Sequence, residues 1–286
     1  MSLVAHWFAP SYRGRAGGVM IIGSGLGIVA SGLLVPWLNA NWVATGWRIG
    51  WAVFGITVLI AAALAALFIR NRPREMGLDF YGGNSGGGTG RQATATAATT
   101  SNTRVIVQIG ALYFMFGCSY VIYATFIVTT LVEQYAFTEA RAGLLWMAVG
   151  ILSIFSGVLF GGVSDRFGRR AGLISVFVTQ TVAYVLVASE SGQVSLLLSM
   201  LLFGISAFSI PAIMAATVSD ILPPVEAGKV FGYVTFFFAI GQITGPAVAG
   251  YLAEISQSFT SSYWLAAILT GCAIGLAGLL RPPTAD

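Results

Sequence analysis

Few side chains in this sequence could carry covalent or metal chemistry. His6 is the single histidine, and the two cysteines, Cys118 and Cys272, each fall inside an apolar stretch. A metal site or disulfide framework needs more ligands than these, so both thiols are expected to be small buried side chains. The run Gly82-Gly83-Asn84-Ser85-Gly86-Gly87-Gly88 has no lysine after it and no strand pattern before it, which argues against a phosphate cradle. No catalytic, metal or cofactor constellation emerges, and the chain is not expected to be an enzyme. Hydrogen-bonding chemistry remains. Tyr113, Tyr120, Tyr123, Ile127 and Thr130 recur at spacings of three, four or seven, which places them on one helix face. Trp146, Ser153, Ser206, Ser209 and Gln242 add polar or aromatic groups in other apolar runs. Polar groups deep in a membrane helix usually face the bundle interior or a water-filled cavity. Together with Tyr113, Tyr120, Tyr123 and Thr130 they are candidates for contact with a small solute, Tyr120 and Tyr123 foremost. Aromatic packing with tyrosine hydroxyls bonded to backbone is the competing account.

Those groups must be positioned by helices that cross a bilayer. Of 286 residues, 57% are hydrophobic and only 8% charged, with a mean hydropathy of +0.85. A soluble domain carries about 25% charged residues, so most of this surface is expected to face lipid. Residues 17–38, 49–69, 105–132, 142–164, 171–189, 191–219, 230–253 and 255–280 contain no Asp, Glu, Lys or Arg. Each run is near or above the roughly 18–20 residues that span the hydrocarbon core. Barrel strands would alternate apolar and polar over about ten residues, and these runs do not. Eight spanning helices are expected, at 17–38, 47–69, 104–133, 141–164, 170–189, 194–218, 229–253 and 261–281.

The net charge of +4 could suggest nucleic acid, but its placement points to a membrane. With the N-terminus inside, the inner segments hold Arg13, Arg15, Arg70, Arg72, Arg74, Arg91, Arg104, Arg166, Arg169, Arg170, Lys229 and Arg281; the outer ones hold Arg48 and Arg141. Acidic residues divide more evenly, as the positive-inside rule allows. Both termini are then cytoplasmic. The first apolar stretch is too long for a signal-peptide core and is expected to be retained.

One long polar stretch interrupts the helices. Arg70-Asn71-Arg72-Pro73-Arg74-Glu75 opens it, and a glycine-serine and then a threonine-alanine tract run to Asn102. Proline ends the helix and the tract reads as a flexible cytoplasmic linker over 71–103. Six helices follow, in 104–286, and two precede, in 1–70, where Ser2–Phe8 reads as the tail of a further helix. That unequal plan is expected if the first half has lost its start.

The most specific motif is Gly161-Gly162-Val163-Ser164-Asp165-Arg166-Phe167-Gly168-Arg169-Arg170, expected in the short inner loop between the fourth and fifth helices. Gly161 and Gly162 would let helix ends approach, Gly168 would supply a positive φ, Asp165 would pair with an arginine or face a helix N-terminus, and Arg166, Arg169 and Arg170 would hold the loop to anionic lipid. The spacing G-x-x-x-D-R-x-G-R-R resembles the signature loop of the major facilitator superfamily. Trp7-Phe8 with Arg13-Gly14-Arg15-Ala16 resembles the loop after that family's fourth helix, with Tyr12 where an acidic residue is common. Gly46-Trp47-Arg48 looks like the start of the sixth, and Arg72-Pro73-Arg74-Glu75-Met76-Gly77-Leu78 like the end of the first half. Tyr123-Ala124-Thr125-Phe126-Ile127-Val128-Thr129-Thr130-Leu131 is similar to bacterial YbfB/YjiJ-like members.

The resemblance implies an all-α bundle of the inner membrane whose eight helices match the fifth to twelfth of the family. It implies a secondary transporter of a small organic solute working by alternating access, with the signature loop as a conformational latch. A coupling ion is compatible with it; a cofactor or a nucleic-acid partner is not implied. Lacking the family's first helices, the chain alone is expected not to transport, and a non-transporting remnant or receptor-like module is the alternative. No ionisable residue lies within the spans, so the substrate is expected to be neutral or weakly polar unless charges sit in other helices. The family's Gly-Pro pair that accompanies proton antiport is Gly32-Leu33 here, a departure that puts that mechanism in doubt. Gly23, Gly27 and Gly32 on the first helix, and Gly241, Gly245, Pro246 and Gly250 on the seventh, are expected to serve close helix packing, Pro246 with a kink.

Overall fold

A computed structural model describes residues 7–8, 10–79, 81–82, 103–221 and 224–280. Apolar runs this long form helices because a bilayer offers no partner for backbone N–H and C=O groups, and a helix satisfies them within itself. The helices are α1 (Pro10–Asn41), α2 (Gly46–Phe68), α3 (Thr103–Glu133), α4 (Glu139–Phe167), α5 (Arg169–Ala188), α6 (Gln193–Ser206), α7 (Ser209–Ile221), α8 (Pro224–Ser256) and α9 (Thr260–Gly278). With α6 and α7 taken as one crossing of residues 193–220, the described residues supply eight helices long and apolar enough to span a membrane.

The sixth expected helix, 194–218, is broken at Ala207 and Phe208. Pro211 explains the break: it has no N–H to give to the carbonyl of Ala207, four residues earlier. The Ala207 N–H falls back to Gly204 at 3.5 Å. Neighbouring α4 then takes up the loosened groups. Ser156 Oγ accepts from the Phe208 N–H at 3.3 Å, and Ser209 Oγ donates to the Ser156 carbonyl at 2.8 Å.

Helices α3 to α9 form a bundle, α3 against α8 and α9, α5 against α9 and α6, and α4 against α6. Its buried side chains fall into two apolar clusters. One lies toward the α4–α5 turn and includes Leu112, Phe116, Phe160, Leu173, Phe177 and Met214. The other lies toward the α5–α6 turn and includes Tyr123, Leu131, Tyr184, Leu196, Phe203 and Tyr263. Where the clusters meet, every crossing of the bundle except α8 carries buried polar residues: Ser119, Ser153 and Ser156, Gln180, Ser206 and Ser209, and Thr270.

Helices α1 and α2 stand beside this bundle. Helix α1 packs on α4, and α2 packs on α1 with large apolar side chains such as Trp51, Leu59 and Phe68 exposed. Such a surface suits lipid. After α2, Pro73–Met76 form a 3-10 turn, and Tyr81 pairs with the segment before α1: its N–H donates to the Trp7 carbonyl at 2.8 Å. Trp7 Nε1 donates to the Arg70 carbonyl at 2.8 Å. The rest of the expected linker, residues 83–102, and Ser2–His6 of the expected helix tail lie outside the described residues.

Candidate functional site

Helix α3 brings the aromatic series onto one face, and that face points into the bundle. Tyr113 is buried and stacks on Phe238 of α8 with ring centroids 4.5 Å apart. Tyr123 is 0% exposed, its ring 4.2 Å from Phe203. Its hydroxyl lies 2.9 Å from Ser199 Oγ, which itself donates to the Ala183 carbonyl, so the tyrosine is the donor. Thr130 is also buried; it donates to the Phe126 carbonyl at 2.9 Å and accepts from the Tyr263 hydroxyl at 2.6 Å. Tyr120 differs. It is half-buried and edged by Phe116, Phe203 and Phe208, the last at the α6–α7 break.

The serines are likewise engaged. Ser153 donates to the Gly150 carbonyl and Ser206 to the Leu202 carbonyl, both at 2.7 Å, while Ser209 bonds across to α4. Trp146 on α4 and Gln242 on α8 are half-buried, with Trp146 packed against the cluster that holds Tyr123. The nine solute-contact candidates therefore divide. Tyr113, Tyr123, Thr130, Ser153, Ser206 and Ser209 are buried in this conformation, and Tyr120, Trp146 and Gln242 remain accessible. Helical spacing groups residues on a face; it does not say whether that face looks at a neighbour or at solvent.

The expected inner loop proves almost wholly helical. Helix α4 runs through Phe167 and α5 begins at Arg169, leaving Gly168 alone between them with φ +91° and ψ 158°. A side chain there would be strained, so glycine makes a one-residue reversal possible. Gly161 and Gly162 do not form the close approach: a Cβ at either meets nothing within 4 Å. The approach is made one turn into α5, where a Cβ on Gly172 would lie 2.5 Å from that of Ser164. Arg169 organises the turn. Its Nη1 donates to Asp165 Oδ1 at 2.5 Å and to Ser164 Oγ at 3.1 Å, and its Nε donates to Asp220 Oδ2 at 2.7 Å. Asp220 closes α7, so one guanidinium joins the ends of α4 and α7 to the start of α5. Sequence reading missed Asp220, because nothing in its spacing ties it to the motif 50 or so residues earlier. Arg166 is exposed, its guanidinium 5.5 Å from the Phe167 ring centroid, and Arg170 is exposed as well.

Two seams bring backbone against backbone. On α1, a Cβ at Gly32 would meet the Gly143 carbonyl at 2.6 Å, and one at Gly25 the Gly150 carbonyl at 2.9 Å. Gly23 and Gly27, expected to pack, meet nothing within 4 Å. The reason is helical phase: Gly25 and Gly32 are seven apart on the seam, and Gly23 and Gly27 point off it. Gly143, Gly150 and Gly157 repeat the same seven-residue interval on α4, a pairing signal that was present in the sequence. On α8, a Cβ at Gly241 would meet the Phe114 carbonyl at 2.4 Å and one at Gly245 the Cys118 backbone at 2.7 Å. Gly250 makes only an ordinary contact with Phe126, at 3.8 Å. Pro246 lies inside α8 without ending it.

The family described as "uncharacterised MFS-type transporter YbfB" matches residues 1–281. The hexuronate transporter of Bacillus subtilis is 24% identical over 92% of this chain and 64% of its own length. The MFS-type transporter opdF of Penicillium oxalicum is 25% identical over 98% of this chain and 62% of its own length. The class B tetracycline resistance protein of Escherichia coli is 30% identical over 50% of this chain and 36% of its own length. The chain thus spans less than two thirds of the length of each of these relatives. The first two carry the name of transporters, and residues from the first helix to the end of the last are covered by the family match, so this chain belongs to the YbfB-type family of the major facilitator superfamily.

Proposed function

We propose that the protein containing this chain is a secondary transporter that moves a small, neutral or weakly polar organic solute by alternating access. The family match over residues 1–281 carries this reading. In it, α1 and α2 correspond to the fifth and sixth helices of the family, and α3 to α9, with α6 and α7 as one crossing, to its seventh to twelfth. Tyr120, Trp146 and Gln242 contact the solute, because they alone among the nine candidates keep accessible surface in this conformation. Tyr113, Tyr123, Thr130, Ser153, Ser206 and Ser209 hold the bundle's shape around that face.

The turn at Gly168 acts as the latch. Arg169 bridges Asp165 and Asp220, so any motion that separates the inner ends of α4 and α7 must break a charge-assisted bond. The protein sits in the bacterial inner membrane with both termini cytoplasmic, which the distribution of Lys and Arg supports. A charged substrate or a coupling ion would draw its counter-charge from outside residues 105–132, 142–164, 191–219 and 230–253, which hold no ionisable Asp, Glu, Lys or Arg.

The test is uptake and efflux in vesicles that contain the protein, screened against carboxylates, amino acids, sugars and drugs. Saturable flux of one solute class, lost in Tyr120→Ala and Gln242→Ala, is the expected result. Flux unaffected by both substitutions would contradict the assignment of the face, and no flux of any class would contradict transport.

A further inference from the structure

The polar belt between the two apolar clusters contains one unexplained pair. Its hydroxyls are bonded to backbone or to one another. Ser119 donates to the Met115 carbonyl at 2.9 Å, Ser156 to that of Ser153 at 2.7 Å, and Thr270 to that of Ala266 at 3.0 Å while accepting from Thr181 at 2.8 Å. Gln180 on α5 is 0% exposed, and neither its amide nitrogen nor its amide oxygen has a partner. Tyr184, one turn further along the same face, is 0% exposed and its hydroxyl is unpartnered too. Its polar neighbours are Ser119, close enough to act on the phenol although outside regular hydrogen-bond geometry, and Tyr120, the half-buried tyrosine of the solute face.

Buried polar atoms are nearly always satisfied, and the demand is sharper in hydrocarbon, where water is not otherwise at hand. Three such atoms on adjacent turns of one helix face describe a place built for something with hydrogen bonds to give and take. The amide both donates and accepts, and so does the phenol. No Asp, Glu, Lys or Arg occurs in residues 105–132, 171–189, 191–219 or 255–280, the segments that surround it, so a charged ligand would find no counter-ion. The complementary group is neutral and is both donor and acceptor.

We propose that Gln180 and Tyr184 form an internal site for a hydroxyl group, of bound water or of a neutral hydroxylated solute, at mid-depth beside Tyr120. Helix α5 then contributes directly to ligand chemistry instead of only closing the bundle. Detection of the ligand depends on binding and not on flux, so the site can fail while transport stands, and the reverse.

Three tyrosines of equal burial provide the test. Tyr123 and Tyr263 are paired with Ser199 and Thr130, whereas Tyr184 is not paired. X-ray radiolytic footprinting of the purified full chain marks buried side chains that adjoin water. The expected result is Tyr184 modified severalfold faster than Tyr123 and Tyr263, falling to their rate in Gln180→Met. Adding a neutral polyol such as inositol divides the sources: protection of Tyr184 identifies a solute hydroxyl, and unchanged modification identifies water. Equal, slow modification of all three tyrosines in the unsubstituted protein would overturn the proposal, without dependence on the folding of any variant. So would fast modification of Tyr184 that Gln180→Met leaves in place.

Discussion

The two glycine seams achieve the same close approach in different settings. Between α3 and α8 the seam lies inside the bundle, flanked by the stacked rings of Tyr113, Phe116 and Phe238. Between α1 and α4 it is the main attachment of a helix pair that otherwise buries little: 11% of the apolar stretch of α1 and 0% of that of α2 are buried, against 50% for α3 and 17% for α8, the two helices of the inner seam. In lipid, apolar side chains gain nothing by leaving one hydrocarbon surface for another, so association rests on packing and backbone proximity. The bundle has both seam and interlocked side chains. The α1–α4 contact has the seam and the Asn39 Nδ2 bond to Glu139 at 3.0 Å. One contact is braced by interlocked rings, the other rests on the seam and one hydrogen bond.

Substitution should separate them. The largest effect is expected at Gly241→Leu, where the added side chain meets the Phe114 backbone. Overpacking of this kind costs about 1–3 kcal/mol or more, and a thermal melt in detergent should show the bundle destabilised. Gly32→Leu meets the Gly143 carbonyl but should leave the melt of the bundle nearly unchanged. Its expected effect is loss of α1 docking, read as lost cross-linking between Ile21→Cys and Gly157→Cys in a background without Cys118 and Cys272. Equal melting losses at both positions would erase the distinction between seams.

Asp220→Asn is smaller in stability and larger in function. Its carboxylate is 46% exposed, so the lost ion pair is expected to cost less than about 1 kcal/mol. Transport should nevertheless be impaired, as in Asp165→Ala, with membrane insertion retained in both; unchanged rates would argue against the latch. Gly23→Ala and Gly27→Ala should be the mildest, neutral or stabilising by about 0.5–1 kcal/mol through helix propensity, because nothing lies near either position. A marked loss in the melt would place them back on a packing face.

The helices were legible from the sequence because the bilayer imposes a length and forbids charge, and both constraints are local. The break at Ala207 and Phe208 was half-legible: Pro211 marks it, but its tolerance depends on Ser156 of another helix. The ion-paired turn was readable as far as Asp165 and Arg169, which are neighbours in sequence, and not at Asp220, which is a neighbour only in space. Choosing glycines by number instead of phase put Gly23 and Gly27 in a seam that belongs to Gly25 and Gly32. Tyr120 and Tyr123 both border Phe203 but do not share an environment, since three residues of helix turn one toward Phe208 and bury the other against Ser199.

That pair also gives the most direct test of the solute face. In a background without Cys118 and Cys272, thiols introduced by Tyr120→Cys and Tyr123→Cys are challenged in vesicles with a membrane-impermeant thiol reagent, with and without the transported solute. Position 120 is expected to react and to be protected by the solute, while position 123 reacts slowly and is indifferent to it. Slow reaction at position 120, or solute-sensitive reaction confined to position 123, would contradict that expectation.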